Sequence, residues 1–152
     1  MWYYILLLFL CCSVDTVVQA RHAQRLERTF ALIKPHAVAE GKVDEIMGMI
    51  ELQGFSIIAQ EQRVLYAHEV TNLYKEYKKC SWFRNCIVRM TKSPVIMMVL
   101  EKENAIDDWD LCKKNIRMFY NAFGDENVVH GADSCKAALR EIGLFFPQLI
   151  KK

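Results

Sequence analysis

Hydrophobic positions follow two spacings along the chain, and the change of spacing separates strands from helices. Residues 28–34, R-T-F-A-L-I-K, are mostly apolar and stop at Pro35, which predicts a strand. In residues 41–52 the apolar positions recur every three or four residues, as in a helix, and Gly54 follows as a stop signal. The unbroken apolar run at 95–100 predicts a buried central strand.

The same spacings predict further strands at 55–65 and 127–130. Helices are predicted at 68–77, 82–90 and 134–142, with Asp133 or Ser134 able to cap the last of them. Residues 104–120 match neither spacing and are expected to be irregular. Strands interleaved with helices in this order predict an α+β sandwich, an antiparallel sheet with helices packed on one face.

The first twenty residues differ from the rest of the chain. Residues 2–12 are an apolar run that is too short to span a bilayer, and Val18-Gln19-Ala20 offers a cleavage site. This pattern predicts a signal peptide at 1–20 and a domain at 21–152, hence a secreted or secretory-pathway protein. No positive residue precedes the apolar run, so a signal anchor or a misassigned start stays open, and the latter would leave a cytoplasmic protein.

Composition is that of one globular domain. The chain has 152 residues, of which 53% are hydrophobic and 25% charged, and its formal net charge of +2 calls for neither nucleic acid nor an acidic membrane surface. Beyond residue 20 the cysteines are Cys80, Cys86, Cys112 and Cys135. Because no C-x-x-C pair occurs, a zinc site is not predicted, and unpaired thiols are expected even though an oxidising compartment would permit disulfides.

A few residues could carry chemistry. His130 lies between a predicted strand and a predicted helix, and Gly131 after it permits unusual backbone angles. Imidazole is a competent nucleophile near neutral pH, although a lone His is more often structural. Lys34 and Arg117 could bind an anion and Phe83 could stack on a base, while a surface charge, an ion pair and core packing are the ordinary alternatives. The sequence has no glycine-rich phosphate loop of the Walker type, which excludes a P-loop kinase.

Two motifs then point to a family. T-F-A-L-I-K-P-H-A-V at 29–38 and N-V-V-H-G-A-D-S at 127–134 resemble the two signatures of nucleoside diphosphate kinases, and L-Q-G-F-S-I-I, M-T-K-S-P-V-I-M-M-V-L-E and R-E-I-G-L-F-F-P follow the family's order. The resemblance covers about residues 28–147. It implies a ferredoxin-like core built on a four-stranded antiparallel sheet. It also implies ping-pong transfer of the terminal phosphate of a nucleoside triphosphate to a diphosphate, with Mg²⁺ on the phosphates.

The resemblance also implies a role for each matched residue. His130 matches the nucleophile that becomes phosphohistidine, and Glu141 matches the carboxylate that holds its other ring nitrogen. The matched nucleotide-binding positions are Lys34 for phosphates and sugar, Tyr74 beside the histidine, Phe83 for the base, Arg117 for phosphate and Asn127 for a sugar hydroxyl. No protein ligand for the metal is implied.

The chain departs from the family pattern near the predicted site. Between Asn104 and Arg117 it is about ten residues shorter, in a segment that normally supplies a second phosphate-binding arginine and subunit contacts. Asp110 falls near the expected arginine, and an acid facing phosphate repels it. Ala132 replaces an expected serine, and His36 an expected aspartate.

Three hypotheses follow. The first is an active kinase that acts on nucleoside triphosphates and diphosphates. For this kinase a homo-oligomer is a possible assembly, and nucleic acid is not expected as a partner. The alternative is a catalytically weakened or inactive kinase-derived module that binds nucleotides or another protein. An RNA-binding sheet is disfavoured, because no predicted strand carries the required aromatic motif.

We expect the protein recovered from culture medium to begin at Arg21, because the cleavage site ends at Ala20. Sequencing of its N-terminus checks this. An intact Met1 on protein from a soluble cytosolic pool would contradict the prediction of a cleaved leader.

Overall fold

The computed structural model describes residues 26–150, so the predicted leader at 1–20 lies outside the described residues. Within that range the chain forms four strands: β1 (Leu26–Ile33), β2 (Ser56–Arg63), β3 (Val95–Glu103) and β4 (Val129–Gly131). The same range contains six α-helices: α1 (Pro35–Ala39), α2 (Val43–Leu52), α3 (Ala67–Leu73), α4 (Phe83–Met90), α5 (Ala105–Phe119) and α6 (Cys135–Phe145). Short 3-10 turns occupy Lys75–Tyr77, Gly124–Glu126 and Pro147–Leu149.

The strands form one antiparallel sheet in the order β2-β3-β1-β4. The predicted buried strand is confirmed, since β3 is buried from Val95 to Leu100. β1 pairs with β3 along its whole length but with β4 over only three residues, from Ile33↔Val129 to Ala31↔Gly131. β4 is therefore a short edge strand, and its second edge is not covered by another strand of the described sheet. This arrangement is the ferredoxin-like α+β fold.

Helices cover both faces of the sheet, so the expectation that they pack on one face was wrong. Because side chains alternate along a strand, Ala31 and Ile33 of β1 point to one face and Phe30 and Leu32 to the other. The first face packs against α1, α2 and α5, and the second against α3, α4 and α6. The residues of β1 and β3 are apolar at successive positions, which is what burial on both faces requires.

Residues 105–119 form the longest helix of the described chain, α5, where an irregular stretch was expected. Ala105, Trp109, Cys112 and Ile116 form its buried stripe at helical spacing. Interspersed charged residues, with the buried Lys113 among them, hide that stripe in the sequence. The helix also begins without a side-chain cap, at Asn104 in the left-handed conformation, so the usual start signal is missing.

The other predicted elements are found with shifted ends. Ser134, not Asp133, caps α6, since its Oγ accepts a hydrogen bond from the N–H of Ala137 at 3.2 Å. The helix α1 was not predicted, because a proline after an apolar run marks the end of a strand as readily as the first turn of a helix, where it lies here. The cysteines at 80, 86, 112 and 135 form no disulfide within the described residues, and Cys86 and Cys112 are buried. No helix in that range is long and apolar enough to cross a membrane.

Gly131 lets α5 approach β4 closely. A Cβ atom placed on Gly131 would lie 1.6 Å from Nε1 of Trp109, whose indole ring is fully buried. Only glycine permits this contact, because a large buried ring cannot yield without displacing the core. The glycine of the motif after His130 therefore has a packing role in addition to its conformational freedom.

We expect Gly131→Ala to lower the free energy of unfolding by about 1–3 kcal/mol or more, because the added methyl group overpacks the contact with Trp109. Denaturant unfolding measures the change. Gly48→Ala is the matched control. Gly48 lies in α2 with nothing within 4 Å of its added Cβ, so alanine there should raise the free energy of unfolding by about 0.5–1 kcal/mol. Equal stabilities for the two variants would contradict the argument.

Candidate active site

His130 is held by a buried carboxylate. It lies in the middle of β4, and its Nε2 is 3.0 Å from Oε2 of Glu141 on α6. The side chain of Glu141 is 3% exposed and that of His130 is 16% exposed, so the carboxylate lies behind the ring and the ring reaches the solvent-accessible side. With Glu141 ionised, Nε2–H donates to it and Nδ1 keeps its lone pair. Nδ1 makes no hydrogen bond to any residue of the described range.

A second set of contacts fixes Glu141 itself. Arg140 donates from Nη2 to Oε1 of Glu141 at 2.8 Å and from Nη1 to the carbonyl oxygen of Asn72 at 2.9 Å. Asn72 is near the end of α3, where Tyr74 follows and packs edge-on against the His130 ring at 5.0 Å between centroids. The ring of His130 is thereby fixed from two sides, by Glu141 and by Tyr74.

A cleft of about 1270 Å³ opens in front of His130. The predicted residues Lys34, Tyr74, Arg117 and Asn127 line it together with His130. Its described cationic side chains are Lys34, Lys42, Arg89, Lys92, Lys113 and Arg117, against the acidic side chains Glu40, Asp110, Glu126 and Asp133. The excess of positive charge suits a polyanionic ligand such as a nucleotide.

The elements around β4 explain how these residues converge. Lys34 directly follows β1, and its N–H donates to the carbonyl oxygen of Val128 at 2.9 Å, so it lies beside the start of β4. Arg117 is in the last turn of α5, and its Nη2 donates to the carbonyl oxygen of Val129 at 3.0 Å. Its Nε is buried without a partner in the described residues, as is Oδ1 of Asn127. A buried polar atom without a hydrogen-bond partner is uncommon in proteins, and here two such atoms belong to cleft residues.

Phe83 does not line the cleft. It begins α4 and packs against the apolar cluster between that helix and the sheet, whereas its neighbour Trp82 is among the lining residues. Trp82 packs edge-on against Tyr74 at 6.5 Å and near Tyr77 at 5.3 Å, which gives the cleft one aromatic wall. The sequence pattern favoured Phe83 because that residue matches the family position. In the structure Trp82 precedes the first residue of α4, Phe83, and of these two rings it is Trp82 that lines the cleft.

Lys113 is a cleft residue that the sequence analysis missed. It is 3% exposed, and its Nζ donates to the carbonyl oxygen of Gly131 at 3.2 Å and forms an ion pair with Asp133. The available signal was its spacing of four residues from Arg117, which places both on one helical face. A spacing of four residues indicates a shared face only within a helix, and residues 104–120 were expected to be irregular.

The departures from the family pattern have structural consequences. Asp110 lines the cleft, but it pairs with Lys114 at 2.6 Å and with Lys113 at 3.5 Å. The hydrogen bond from Lys114 lowers the pKa of Asp110, so its charge is present and compensated at neutral pH. Ala132 is buried and its N–H donates to the carbonyl oxygen of Phe30 at 3.1 Å, so backbone pairing with β1 continues past His130. The hydroxyl group of the expected serine is missing at this position.

The profile of the family described as nucleoside diphosphate kinase matches residues 27–150. The chain belongs to the nucleoside diphosphate kinase family. A nucleoside diphosphate kinase of Geobacter sulfurreducens is 37% identical in an alignment 134 residues long, which covers 82% of this chain and 98% of that protein. Another, from Histophilus somni, is 32% identical over 81% of this chain and 94% of that protein.

The comparison with the Geobacter nucleoside diphosphate kinase also agrees with a shortened chain. It spans 134 residues of that protein but, at 82% of 152, only about 125 of this one, so about nine positions have no counterpart here. A crystal structure of the Aquifex aeolicus nucleoside diphosphate kinase superimposes with a TM-score of 0.75 and 23% identity, over 84% of this chain and 100% of that one. That likeness shows the shared fold.

His36 provides a test of the cleft's electrostatics. Burial lowers the pKa of His36 below 6.5, and the positive charge of Lys34 lowers it further. We expect Lys34→Met to raise the pKa of His36 toward 6.5 in an NMR titration. Lys114→Met is the control and should leave the His36 midpoint where it is, because Lys114 pairs with Asp110 away from that ring.

The sign of the effect on stability follows from linkage. The unfolded chain takes up a proton on His36 at a higher pH than the folded chain does, so protonation favours unfolding. The contribution of His36 to stability is therefore lost as the pH falls through about 6.5, and this loss should be smaller in Lys34→Met. A His36 midpoint above 6.5 in the unmodified protein would contradict the described burial.

Proposed function

We propose that this protein transfers the terminal phosphate of a nucleoside triphosphate to a nucleoside diphosphate through a phosphohistidine at His130. Membership of the nucleoside diphosphate kinase family supports the reaction class. The observation that carries the residue assignment is the 3.0 Å contact between Nε2 of His130 and the buried Glu141, at the wall of a cationic cleft. That contact leaves Nδ1 as the nitrogen able to attack.

The reaction has two matched half-steps. In the first, the lone pair of Nδ1 forms a bond to the terminal phosphorus while the bond from that phosphorus to the bridging oxygen breaks, and the nucleoside diphosphate leaves with the electron pair. In the second, a terminal oxygen of another diphosphate attacks the phosphohistidine and the N–P bond breaks. Glu141 stabilises the positive charge that develops on the imidazole ring, because its carboxylate accepts the Nε2 proton in a charge-assisted hydrogen bond.

Cations in front of the ring favour the transfer electrostatically. Lys34 and Arg117 line the cleft beside His130, and guanidinium suits two phosphate oxygens at once. Tyr74 holds the ring edge-on, and burial raises the pKa of Tyr74, so its hydroxyl stays neutral. These fixed positive charges stabilise the negative charge that develops on the phosphate oxygens in the transition state. They are already in position, so they need no rearrangement during the step.

The family resemblance implies a magnesium ion on the nucleotide. Residues 26–150 contain no group of three His, Cys, Asp or Glu side chains that could hold a metal. A magnesium ion bound with the nucleotide would supply partial neutralisation of the phosphate charge. For the base we favour contact with Trp82 rather than with Phe83, because, of these two neighbouring rings, it is Trp82 that lines the cleft.

We expect incubation with ATP labelled at its terminal phosphate to give an acid-labile, base-stable label that His130→Ala abolishes. His68→Ala is the matched control. His68 is exposed on α3 outside the cleft, so this variant should take up label like the unmodified protein. Label that survives in His130→Ala would overturn the assignment of the nucleophile.

We expect Glu141→Gln to lower the rate of labelling about tenfold to a hundredfold. The variant keeps the side-chain shape but loses a charge-assisted hydrogen bond worth about 1.5–3 kcal/mol. Rapid-quench measurement of label uptake checks the rate, and calorimetry with ADP and magnesium checks that the cleft still binds. Clear binding of ADP with no label in the unmodified protein would instead support the alternative, a nucleotide-binding module without catalysis.

A further inference from the structure

Two cations of α5 cover the open edge of β4 on either side of His130. β4 pairs with β1, and the residues on either side of β4 extend this pairing, since Val128 accepts from the N–H of Lys34 and the N–H of Ala132 donates to Phe30. Backbone groups alternate in direction along a strand, so the carbonyl oxygens of Val129 and Gly131 point away from β1. No further described strand pairs with that edge.

Arg117 and Lys113 satisfy those two carbonyl groups. Arg117 donates to Val129 at 3.0 Å and Lys113 donates to Gly131 at 3.2 Å. His130 lies between Val129 and Gly131, the two residues whose carbonyl groups accept these hydrogen bonds. Since the two cations are four residues apart on one helix, they lie one turn apart and bracket the backbone of the histidine.

The amine of Lys113 can donate more hydrogen bonds than the one it makes to the carbonyl oxygen of Gly131. An ammonium group has three donors, and burying it is costly unless they are used. Besides Gly131 it contacts Asp133 in an ion pair, while Asp110 is 3.5 Å away, beyond a good hydrogen bond. The side chain of Asp133 is 70% exposed, so the carboxylate that holds the amine is free to rotate into solvent.

We propose that Lys113 is a phosphate-binding cation of the cleft, the second on α5 after Arg117, and that Asp133 occupies its phosphate-binding donor until nucleotide displaces it. This inference rests on the proposed function in that the cleft must receive a polyphosphate. The carboxylate of Asp133 resembles a phosphate oxygen in charge and as an acceptor. Exchanging one for the other leaves the Lys113–Gly131 bond intact and keeps the buried ammonium paired.

The exchange also gives α5 a function that the shortened segment would otherwise lack. A nucleoside diphosphate carries several negative charges, so a further cation adds to the attraction that Lys34 and Arg117 supply from the wall of the cleft. Lys113 lines the same cleft from the same helical face as Arg117. Lys114, its neighbour, is 64% exposed, bonds to Asp110 and does not line the cleft, so it provides a matched control in the same helix.

Calorimetry with ADP and magnesium, and with adenosine as the phosphate-free probe, tests the proposal on the unmodified protein and two lysine variants. We expect Lys113→Met to weaken ADP binding at least tenfold and to leave adenosine binding within twofold. Lys114→Met should leave both within twofold. ADP binding that is equally strong in Lys113→Met and the unmodified protein would overturn the proposal.

Asp133→Asn distinguishes a displaceable partner from a structural ion pair, and it applies even if Lys113→Met does not fold. If Asp133 competes with phosphate, Asp133→Asn should bind ADP two- to tenfold more tightly. Weaker or unchanged ADP binding with a lower melting temperature would mean that the pair only holds the chain, and would overturn the proposal. Labelling of His130 reports the proposed function separately. Lys113-dependent ADP binding without label would leave this inference standing and refute catalysis.

Discussion

The position of one imidazole ring depends on a buried carboxylate that cannot be left unpaired. Removing Glu141 from water is costly unless both of its oxygens have partners, and they do, in His130 and Arg140. Arg140 also binds the end of α3, where Tyr74 returns to the His130 ring. The contacts therefore link α6, α3 and β4 to one another. A shift in any of these elements would leave a buried charge or a ring without support.

The shortness of β4 sets the other constraint. As an edge strand, β4 has outward carbonyl groups that no further strand of the described sheet pairs, and α5 covers them with Arg117 and Lys113. Close approach of the helix is possible because Gly131 leaves room for Trp109. The segment that is shortened relative to the family pattern is thus a continuous helix, with its buried stripe against the sheet and its cations at the cleft.

Much of the fold could be predicted because the local pattern and the packed structure agree. β1 and β3 are apolar at successive positions, and Ser134 has the chemistry of a helix cap. The placement of helices on both faces could not be predicted from spacing alone, since a continuous apolar run indicates a buried strand but not which elements cover each side. α5 was hidden because its buried face includes a charge.

The sequence by itself determined the family, through motifs that each lie within a short segment, and the succession of strands and helices along most of the chain, which follows from local spacing. The family resemblance matched Glu141 to the carboxylate behind His130, and the fold brings the two side chains within 3.0 Å. The tertiary structure decided which of two adjacent rings, Trp82 or Phe83, lines the cleft, because that choice depends on the turn that begins α4. It also decided that Lys113 is buried. A lysine is rarely buried unless other groups accept its hydrogen bonds, and here the acceptors belong to residues 131 and 133, which only folding brings to the helix.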